Sequence, residues 1–472
     1  MATTVTRIVS QNPATEEILA SFDPFTPDQL DAAIAEAHRA FQEWRDVPIE
    51  RRAVAMRRLA GVLRERIERY SRLITLEMGK PITEARAEIE KCAWNAEHYA
   101  ENAARYLADD AIKTNARRSL VAFEPLGVVL AVMPWNYPIW QVIRFAAPAF
   151  MAGNAAVLKH ASNVPQCALA IEEMVRDAGF PDGLLRTVLV GGSAVEPIID
   201  DRRIRAVTLT GSSDTGSRIA ERAGRALKKT VLELGGSDPF IVLADADLDA
   251  AAKMASRARN QNTGQSCIAA KRFIAVRAIA DAFERTFAKA VEDLIVGDPL
   301  DPKTQIGPLA RRDLVDNLER QVDASVRMGA RVLTGGERIS GKGFFYRPTV
   351  LADVTEDMPV FKEETFGPVA AVVRVRDADE AVRVANDSEY GLGANLWTRD
   401  VSLAERLARR IESGSVFVNG MVASDPRLPF GGVKRSGYGR ELSAFGIREF
   451  TNVQTIWIGP AEGQQQPAPT SE

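Results

Sequence analysis

IRAVTLTGSSDTGSRIAERAG, residues 204–224, joins an apolar, β-branched run to an amphipathic segment through a loop of small polar residues. A buried strand followed by such a helix is the repeating unit of a parallel α/β sheet. The free N–H groups at the start of the helix favour phosphate, so the loop is a candidate pyrophosphate site. Gly211 is expected to make the turn, and Gly216 to let another chain or a ligand approach closely. An ordinary loop between a strand and a helix explains the pattern equally well.

Similar apolar runs precede and follow this stretch. They are GVVLAVM (127–133), AAVLKHA (155–161) and RTVLV (186–190) before it, and VLELGG, PFIVLADADLD, RFIAV and VAAVVRV after it. Strands that alternate with helices predict two α/β domains, joined near Glu233–Gly236. The first third is predicted to be helical. One apolar stripe runs from Leu30 to Trp44, and a second runs from Met56 to Ile74 as one helix that ends near Gly79.

Composition excludes several classes of function. A chain of 472 residues with a net charge of −3 offers no general attraction to nucleic acid or acidic membranes. The three cysteines are far apart, and no signal peptide or long apolar run is found, so we predict a cytoplasmic protein without disulfides. None of the three histidines shares a short motif with another histidine or a cysteine, which predicts no metal site.

Four short motifs contain candidate catalytic or binding residues. NTGQSCIAAKRF contains Cys267, which is either a nucleophile or a small buried residue of the core. Asn136 lies between two prolines in MPWNYP, where its amide can face a developing oxyanion or simply cap a turn. Glu233 in LELGG lies at the end of an apolar strand. It is either a general base of raised pKa or a salt-bridged group. Glu364 precedes a Phe-Gly-Pro turn in KEETFGPV.

The motifs PWNYP, VLKHA, GSSDTG, ELGG, GQSC, EETFGPV and PFGGVKRSGYGRE occur in one order along the chain. Together they resemble the aldehyde dehydrogenase superfamily, over nearly the whole length. The 34 positions from Glu233 to Cys267 match that family. The resemblance implies that Cys267 attacks the aldehyde carbon and that Asn136, with the Cys267 N–H, stabilises the oxyanion. Hydride then passes to the nicotinamide, and Glu233 activates water to hydrolyse the thioester.

The resemblance also implies a cofactor site and a domain plan. The implied cofactor residues are Trp135, Lys159, Ser162, Gly211, Ser212, Gly216, Leu234, Glu364 and Phe366. The implied fold is α/β, with a Rossmann-like cofactor domain (1–106 and 127–235) and an α/β catalytic domain (236–440). A small β bridge for oligomerisation (107–126 and 441–460) and a disordered Pro/Gln-rich tail (461–472) complete it. Family members form homodimers or homotetramers, and the apolar stretch NVQTIWI would be an exposed edge in a monomer.

One position departs from the pattern of many NAD-using members. They have Glu three residues after the lysine, whereas this chain has Ser162 after Lys159. A carboxylate there would repel a 2′-phosphate and a serine would not, while Lys159 could pair with that phosphate. The sequence therefore favours NADP, with NAD as the alternative.

Arg144 follows Asn136 by eight residues, which places it about two helical turns further on and near the mouth of the site. Arginine suits a carboxylate ligand, and members that resemble bacterial succinate-semialdehyde dehydrogenase have arginine at this offset. A surface salt bridge is the alternative for Arg144. Ser424 and Arg427 are expected to add carboxylate contacts. Three aromatic side chains are expected to line the substrate tunnel: Tyr137, Trp140 and Phe430. The alternative is that they only pack against their neighbours.

The predicted reaction is the NAD(P)-dependent oxidation of succinate semialdehyde to succinate. Another ω-carboxy or aliphatic aldehyde, such as glutarate semialdehyde, is the near alternative. A CoA-acylating enzyme would lack the base that Glu233 provides. A thiol hydrolase without redox chemistry would need a histidine partner for Cys267, and a non-catalytic structural protein would not need Cys267, Glu233 and Asn136 together.

Overall fold

A β-hairpin and four long helices begin the part of the chain that the computed structural model describes, residues 7–459. The predicted disordered tail, 461–472, lies outside the described residues. The elements are β1 (Ile8–Gln11), β2 (Ile18–Phe22), α1 (Pro27–Trp44), α2 (Ile49–Glu65), α3 (Ile67–Met78) and α4 (Ile82–Tyr106). The single helix predicted from Met56 to Ile74 is wrong, because the backbone breaks at Arg66 (φ −110°, ψ 24°). The break lets α2 and α3 both pack against α4.

The next segment alternates strands with helices. Its elements are β3 (Asp110–Ala111), β4 (Arg118–Pro125), β5 (Val128–Met133), α5 (Trp140–Met151), β6 (Ala155–His160), α6 (Pro165–Asp177), β7 (Leu185–Thr187), α7 (Val195–Asp200), β8 (Ile204–Thr210), α8 (Ser213–Arg225) and β9 (Lys229–Glu233). β5 is buried along its whole length, as expected for a strand with helices on both faces.

The alternation continues to the end of the described chain. The elements are β10 (Asp238–Val242), α9 (Leu248–Asn260), β11 (Ala270–Val276), α10 (Arg277–Glu292), α11 (Arg312–Arg327), β12 (Arg331–Thr334), β13 (Thr349–Ala352), α12 (Pro359–Lys362), β14 (Val369–Val375), α13 (Ala378–Asn386), β15 (Gly393–Trp397), α14 (Val401–Ala408), β16 (Ser415–Val418), β17 (Gly437–Tyr438), α15 (Ser443–Glu449) and β18 (Thr451–Ile458).

Two mainly parallel sheets confirm the predicted α/β class. The first has the order β17-β9-β8-β5-β6-β7 and the second the order β12-β13-β14-β11-β10-β15-β16. Only β17 and β12 run antiparallel to their neighbours. Along β10, Ile241 packs into one apolar cluster and Phe240 and Val242 pack into another, so both faces of the second sheet are covered. The chain passes from the first sheet to the second between β9 and β10.

The chain returns to the first sheet at β17, which pairs with β9 through Gly437 and Glu233. The predicted boundary at residue 440 assigns this strand to the catalytic domain, whereas its pairing joins it to the sheet of the cofactor domain. This return places β17 beside the carboxyl end of β9, and Phe430 and Glu441 beside Arg144 of α5. The domain boundaries themselves stay predictions.

A third sheet has the order β18-β4-β3. β18 is its edge strand, as expected for NVQTIWI, and Val453 and Trp457 are 62% and 46% exposed. An exposed apolar edge is a surface that another chain can cover. Within residues 7–459, no helix combines the length and the apolar character that crossing a bilayer requires.

Candidate active site

A cavity of about 1120 Å³ opens between α4, α5, α9 and the loop that precedes β17. Six of the predicted site residues line it: Cys267, Tyr137, Trp140, Arg144, Ser424 and Phe430. The structure therefore gathers side chains from four distant segments around the candidate nucleophile.

Cys267 lies in the short loop between α9 and β11. Two residues of this loop, Asn262 and Thr263, have left-handed backbones with φ of 53° and 55°. Such a conformation is costly for a β-branched residue and persists only where the surroundings fix it. The fixing contacts include a 2.6 Å hydrogen bond from the Asn262 N–H to Glu84. The loop is thus held in one shape before any substrate arrives.

Lys271 holds the other end of this loop. Its ammonium is fully buried and donates to the carbonyl oxygens of Ser266, Cys267 and Ala269, at 3.0 to 3.1 Å. It also lies 3.7 Å from Glu364. Three carbonyls on one lysine fix the backbone that carries the thiol. Lys271 was not predicted as a site residue, although it belongs to the quoted cysteine motif.

The thiol of Cys267 is half-buried and opens onto the cavity, whereas Cys92 and Cys167 lie in the core. Burial raises the pKa of Cys267 to about 12, although the charges of Arg144 and Lys271 act in the opposite direction. The thiol form therefore prevails in the free protein at neutral pH.

Asn136 reaches the cysteine loop from the end of β5. Its side chain is buried, and its amide Nδ2 donates to the carbonyl of Gln265 at 3.1 Å. Asn262 donates in turn to the carbonyls of Asn136 and Gln265, at 2.8 and 3.0 Å. These bonds orient the Asn136 amide toward the loop of Cys267, as an oxyanion donor requires.

Glu233 ends β9, and both of its carboxyl oxygens are buried without a hydrogen-bond partner among the described residues. Burial, reinforced by the neighbouring Glu441, raises the pKa of Glu233 well above its usual range. Gly431 has a φ of 155°, and a Cβ atom there would lie 2.8 Å from both the backbone oxygen of Gly439 and Oε1 of Glu233, so a glycine is required there. An unpartnered carboxyl of raised pKa is suited to take a proton from water.

Arg144 and Glu441 form a buried ion pair, with side chains only 2% and 4% exposed. The surface salt bridge considered for Arg144 is therefore wrong. The guanidinium also lies 4.8 Å from the centre of the Phe430 ring and 3.4 Å from the hydroxyl of Thr210. The sequence analysis missed Glu441 as a partner, although it ends the last quoted motif.

The loop before β17 places two predicted substrate residues, Ser424 and Phe430, in the cavity and one, Arg427, outside it. Ser424 is buried and accepts a 2.6 Å hydrogen bond from Lys91 of α4. Arg427 does not line the cavity: its side chain is 68% exposed and pairs with Asp425 at 2.6 Å. The substrate contact predicted for Arg427 is thus not supported, because its local ion pair turns it outward.

Several predicted cofactor residues gather at the carboxyl ends of β5, β8 and β9. Ser212 is the N-cap of α8, with its hydroxyl accepting from the N–H of Thr215. Trp135 and Phe366 pack edge to face, with ring centres 5.7 Å apart. Glu364 accepts from the N–H of Gly236 at 3.0 Å, beside Leu234.

The roles expected of the two glycines need correction. Gly211 does not have a left-handed backbone, so the turn does not demand a glycine. Gly216 is needed for close packing, since a Cβ there would meet the Leu234 side chain at 2.6 Å. The close neighbour of Gly216 is therefore a side chain of the same protein, not a ligand or another chain.

Lys159 is the last residue but one of β6, the strand next to β5, and Ser162 follows that strand. Lys159 is half-buried, and burial lowers its pKa. Among residues 7–459 it has no carboxylate partner, and Ser162 is exposed beside it. A lone lysine without a nearby acid fits a 2′-phosphate, and the N-terminus of α8 fits a pyrophosphate. The residues present therefore fit NADP.

Comparisons with known proteins agree with this site. The model of the aldehyde dehydrogenase family matches residues 1–456. A protein of Mycobacterium ulcerans named NADP(+) succinate-semialdehyde dehydrogenase 1 is 51% identical, over 96% of this chain and 100% of its own. A probable NADP(+) succinate-semialdehyde dehydrogenase of Synechocystis is 50% identical, over 96% and 99%. The succinic semialdehyde dehydrogenase of Streptococcus pyogenes, solved with NADP+, has a TM-score of 0.94 and 39% identity, over 96% and 100%.

Proposed function

Because the chain belongs to the aldehyde dehydrogenase family, we propose that it oxidises succinate semialdehyde to succinate with NADP+. The observation that carries the proposal is the convergence of Asn136 and Glu233 on Cys267. The Asn136 amide bonds to the cysteine loop, and the charge of Glu233 acts on the Cys267 thiol, which opens onto a cavity lined also by cationic and hydroxyl side chains. The names of the relatives support the substrate and the cofactor.

Cys267 supplies the nucleophile. The thiol first gives its proton to solvent water, the thiolate sulfur then bonds to the aldehyde carbon, and the π electrons of the C=O bond move to the oxygen, which becomes an oxyanion. The amide of Asn136 and the backbone N–H of Cys267 donate to that oxygen and stabilise its charge, a contribution typically of about 3 kcal/mol per donor. Lys271 keeps the backbone of the nucleophile in place during the attack.

Bound NADP+ supplies the acceptor for the hydride of the substrate, which leaves an acyl group on the Cys267 sulfur. Lys159 would hold the 2′-phosphate, the N-terminus of α8 the pyrophosphate, and Glu364 the nicotinamide ribose. Trp135 and Phe366 would pack near the nicotinamide end.

Glu233 completes the cycle. Its carboxylate takes a proton from a water molecule, whose oxygen attacks the thioester carbon, and the C–S bond breaks to release the acid and the thiolate. The raised pKa of Glu233 makes it a stronger base than an exposed glutamate. Arg144, paired with Glu441, limits the negative charge around it.

The proposal is tested by the absorbance of reduced nicotinamide. We expect kcat/KM for succinate semialdehyde to exceed that for butanal, kcat/KM with NADP+ to exceed that with NAD+, and the Cys267→Ala variant to be inactive. A higher kcat/KM for glutarate semialdehyde would show that the substrate is a longer ω-carboxy aldehyde. Hydrolysis of a thioester without any need for nicotinamide would favour the non-redox thiol hydrolase.

We also propose a cytoplasmic homo-oligomer. The three cysteines are free thiols, which supports a location in the reducing cytoplasm. The exposed apolar side chains of β18 support the assembly.

A further inference from the structure

Two glutamates of α4 contact the two segments that carry the oxyanion donors. Glu84 and Glu88 are four residues apart, so their side chains leave the same face of the helix. Glu84 accepts the N–H of Asn262, in the loop that carries the nucleophile, at 2.6 Å. Glu88 accepts the N–H groups of Ile139 and Trp140, where α5 begins, at 3.0 and 2.9 Å. One helix therefore holds both segments through backbone N–H groups.

Glu88 fixes the segment that follows Asn136. Its carboxyl is buried and forms an ion pair with Lys80, which is also fully buried. The first N–H groups of a helix have no partner within the helix, and Ile139, the N-cap of α5, has no side-chain acceptor, so Glu88 supplies one. Nζ of Lys80 lies 3.6 Å from the centre of the ring of Tyr137, which directly follows Asn136.

Glu84 fixes the residue that ties Asn136 to the cysteine loop. Asn262 has a left-handed backbone, and its side-chain amide donates to the carbonyl oxygens of Asn136 and Gln265. The Asn136 amide donates to the same carbonyl of Gln265. The hydrogen bond from Asn262 to Glu84 thus sets the place of the residue that contacts both the oxyanion donor and the loop.

The distance between the two donors has to be set from outside their own sheets. Asn136 follows β5 of the first sheet, whereas Cys267 precedes β11 of the second. Both the Asn136 amide and the Cys267 N–H have to lie about 3 Å from one oxygen atom. An error of about 1 Å in such an arrangement can lower a rate by about 100-fold. A rigid helix that bonds to both segments is suited to prevent that error.

The bond from Asn262 does not depend on the charge of Glu84. Burial raises the pKa of Glu84 to about 7, although the Asn262 N–H and the charge of Lys80 act in the opposite direction. Both the carboxylate and the protonated carboxyl have an oxygen that can accept an N–H. A glutamine at this position keeps such an oxygen as well.

We propose that Glu84 is a positioning residue of the reaction: with Glu88 one turn away on α4, it sets the separation between the Asn136 amide and the Cys267 loop. The inference rests on the proposed function, because it needs an aldehyde whose oxygen becomes negatively charged. Glu84 acts through the Asn262 N–H and takes no proton from the substrate or from Cys267.

The test replaces Glu84 in the full-length enzyme, since replacing Glu88 would leave the buried Lys80 without its partner. We expect Glu84→Leu, which cannot accept the N–H, to lower kcat/KM for succinate semialdehyde by about 10- to 100-fold with NADP+. The same loss is expected with butanal, because every aldehyde forms the oxyanion. Glu84→Gln restores most of the rate for both aldehydes.

A double-mutant cycle separates positioning from a general effect on the fold. In the Asn136→Ala background, the donor that Glu84 positions is gone, so we expect Glu84→Leu to lower kcat/KM by less than about 3-fold. Glu90→Leu is the matched control. Glu90 lies on the same helix, but it is exposed and bonds only to Arg64, so its replacement leaves kcat/KM unchanged in both backgrounds.

Each contrary result has a distinct meaning. A wild-type enzyme that reduces NADP+ with neither aldehyde overturns the proposed function and this inference with it. Wild-type turnover that survives Glu84→Leu overturns this inference alone. Equal losses from Glu84→Leu with and without the Asn136 amide show a general structural role, and a loss in Glu84→Gln as large as in Glu84→Leu shows that Glu84 transfers a proton. Either result overturns the inference.

Discussion

Cys267 reacts as a thiolate, and its pKa decides how much thiolate is present. Because burial raises that pKa to about 12, the thiolate fraction below this value rises tenfold with each pH unit. We expect the rate of inactivation by iodoacetamide to rise continuously between about pH 6 and pH 9 in the enzyme without cofactor.

Alkylation is followed by residual activity and by mass spectrometry. Cys267→Ala is the control, since Cys92 and Cys167 are fully buried and should not react in the folded protein. A rate that levels off near neutral pH would show that Arg144 and Lys271 outweigh burial.

Glu233 is needed only after the thioester has formed. In Glu233→Gln the amide cannot take a proton from water, so the acyl-enzyme should accumulate. We expect stopped-flow traces to show one reduced nicotinamide per active site and then a steady rate about 10²- to 10⁴-fold below that of the wild type. A variant that loses the rapid phase as well would place Glu233 before the thioester, as a base for Cys267.

Some residues of the site could be predicted from the sequence and others could not. Cys267, Asn136 and Glu233 stand in short motifs whose residue types suit their proposed chemistry. Lys91 has no such signal, because its partner Ser424 is 333 residues away in the sequence. Glu441 was part of a quoted motif, but only the fold shows that it faces Arg144 and Glu233. Charge pairing across distant segments is a property of the fold.

Helix α8 packs closely against the residue that follows β9. A methyl group at Gly216 would lie 2.6 Å from the Leu234 side chain and would push the helix off the LELGG loop. We expect Gly216→Ala to destabilise the protein by about 1–3 kcal/mol and to raise KM for the cofactor.

Gly224, on the same helix, is the matched control. Nothing lies within 4 Å of the position of its missing Cβ. Gly224→Ala should therefore be neutral or stabilise the fold by up to about 1 kcal/mol, since alanine is the better helix former. Chemical denaturation of both variants measures the difference, and equal stability of the two would contradict the packing argument.

The periodicity of apolar residues predicted which helices and strands exist better than it predicted where each one begins and ends. Eight strands of the two parallel sheets, β5 to β11 and β14, follow from the apolar, β-branched runs quoted above, whereas β12, β13, β15, β16 and β17 were not predicted. The apolar stripe from Met56 to Ile74 continues across the break at Arg66, because α2 and α3 both face α4, and a continuous stripe does not reveal a change of direction. The antiparallel return of β17 depends on contacts with β9 and leaves no periodic pattern in two residues.

The whole molecule presents β18 as an apolar edge. Val453 is 62% exposed on this strand. If another copy covers it, a charge there would be buried without a partner. We expect Val453→Asp to lower the mass measured by light scattering. Leu227→Asp is the control, because Leu227 is 94% exposed and lies outside that sheet. An unchanged mass in both variants would place the interface elsewhere.

The return of the chain at β17 also sets an order of events during synthesis. Cys267 and Glu233 leave the ribosome well before Ser424 and Glu441, which come from the last part of the chain. Until those residues arrive, Arg144 lacks its carboxylate, and the strand position beside β9 is empty. A nascent chain can thus form most of both sheets while its cavity is still open on one side. The enzyme acquires its complete reaction chamber only after residues 424–441 have been synthesised.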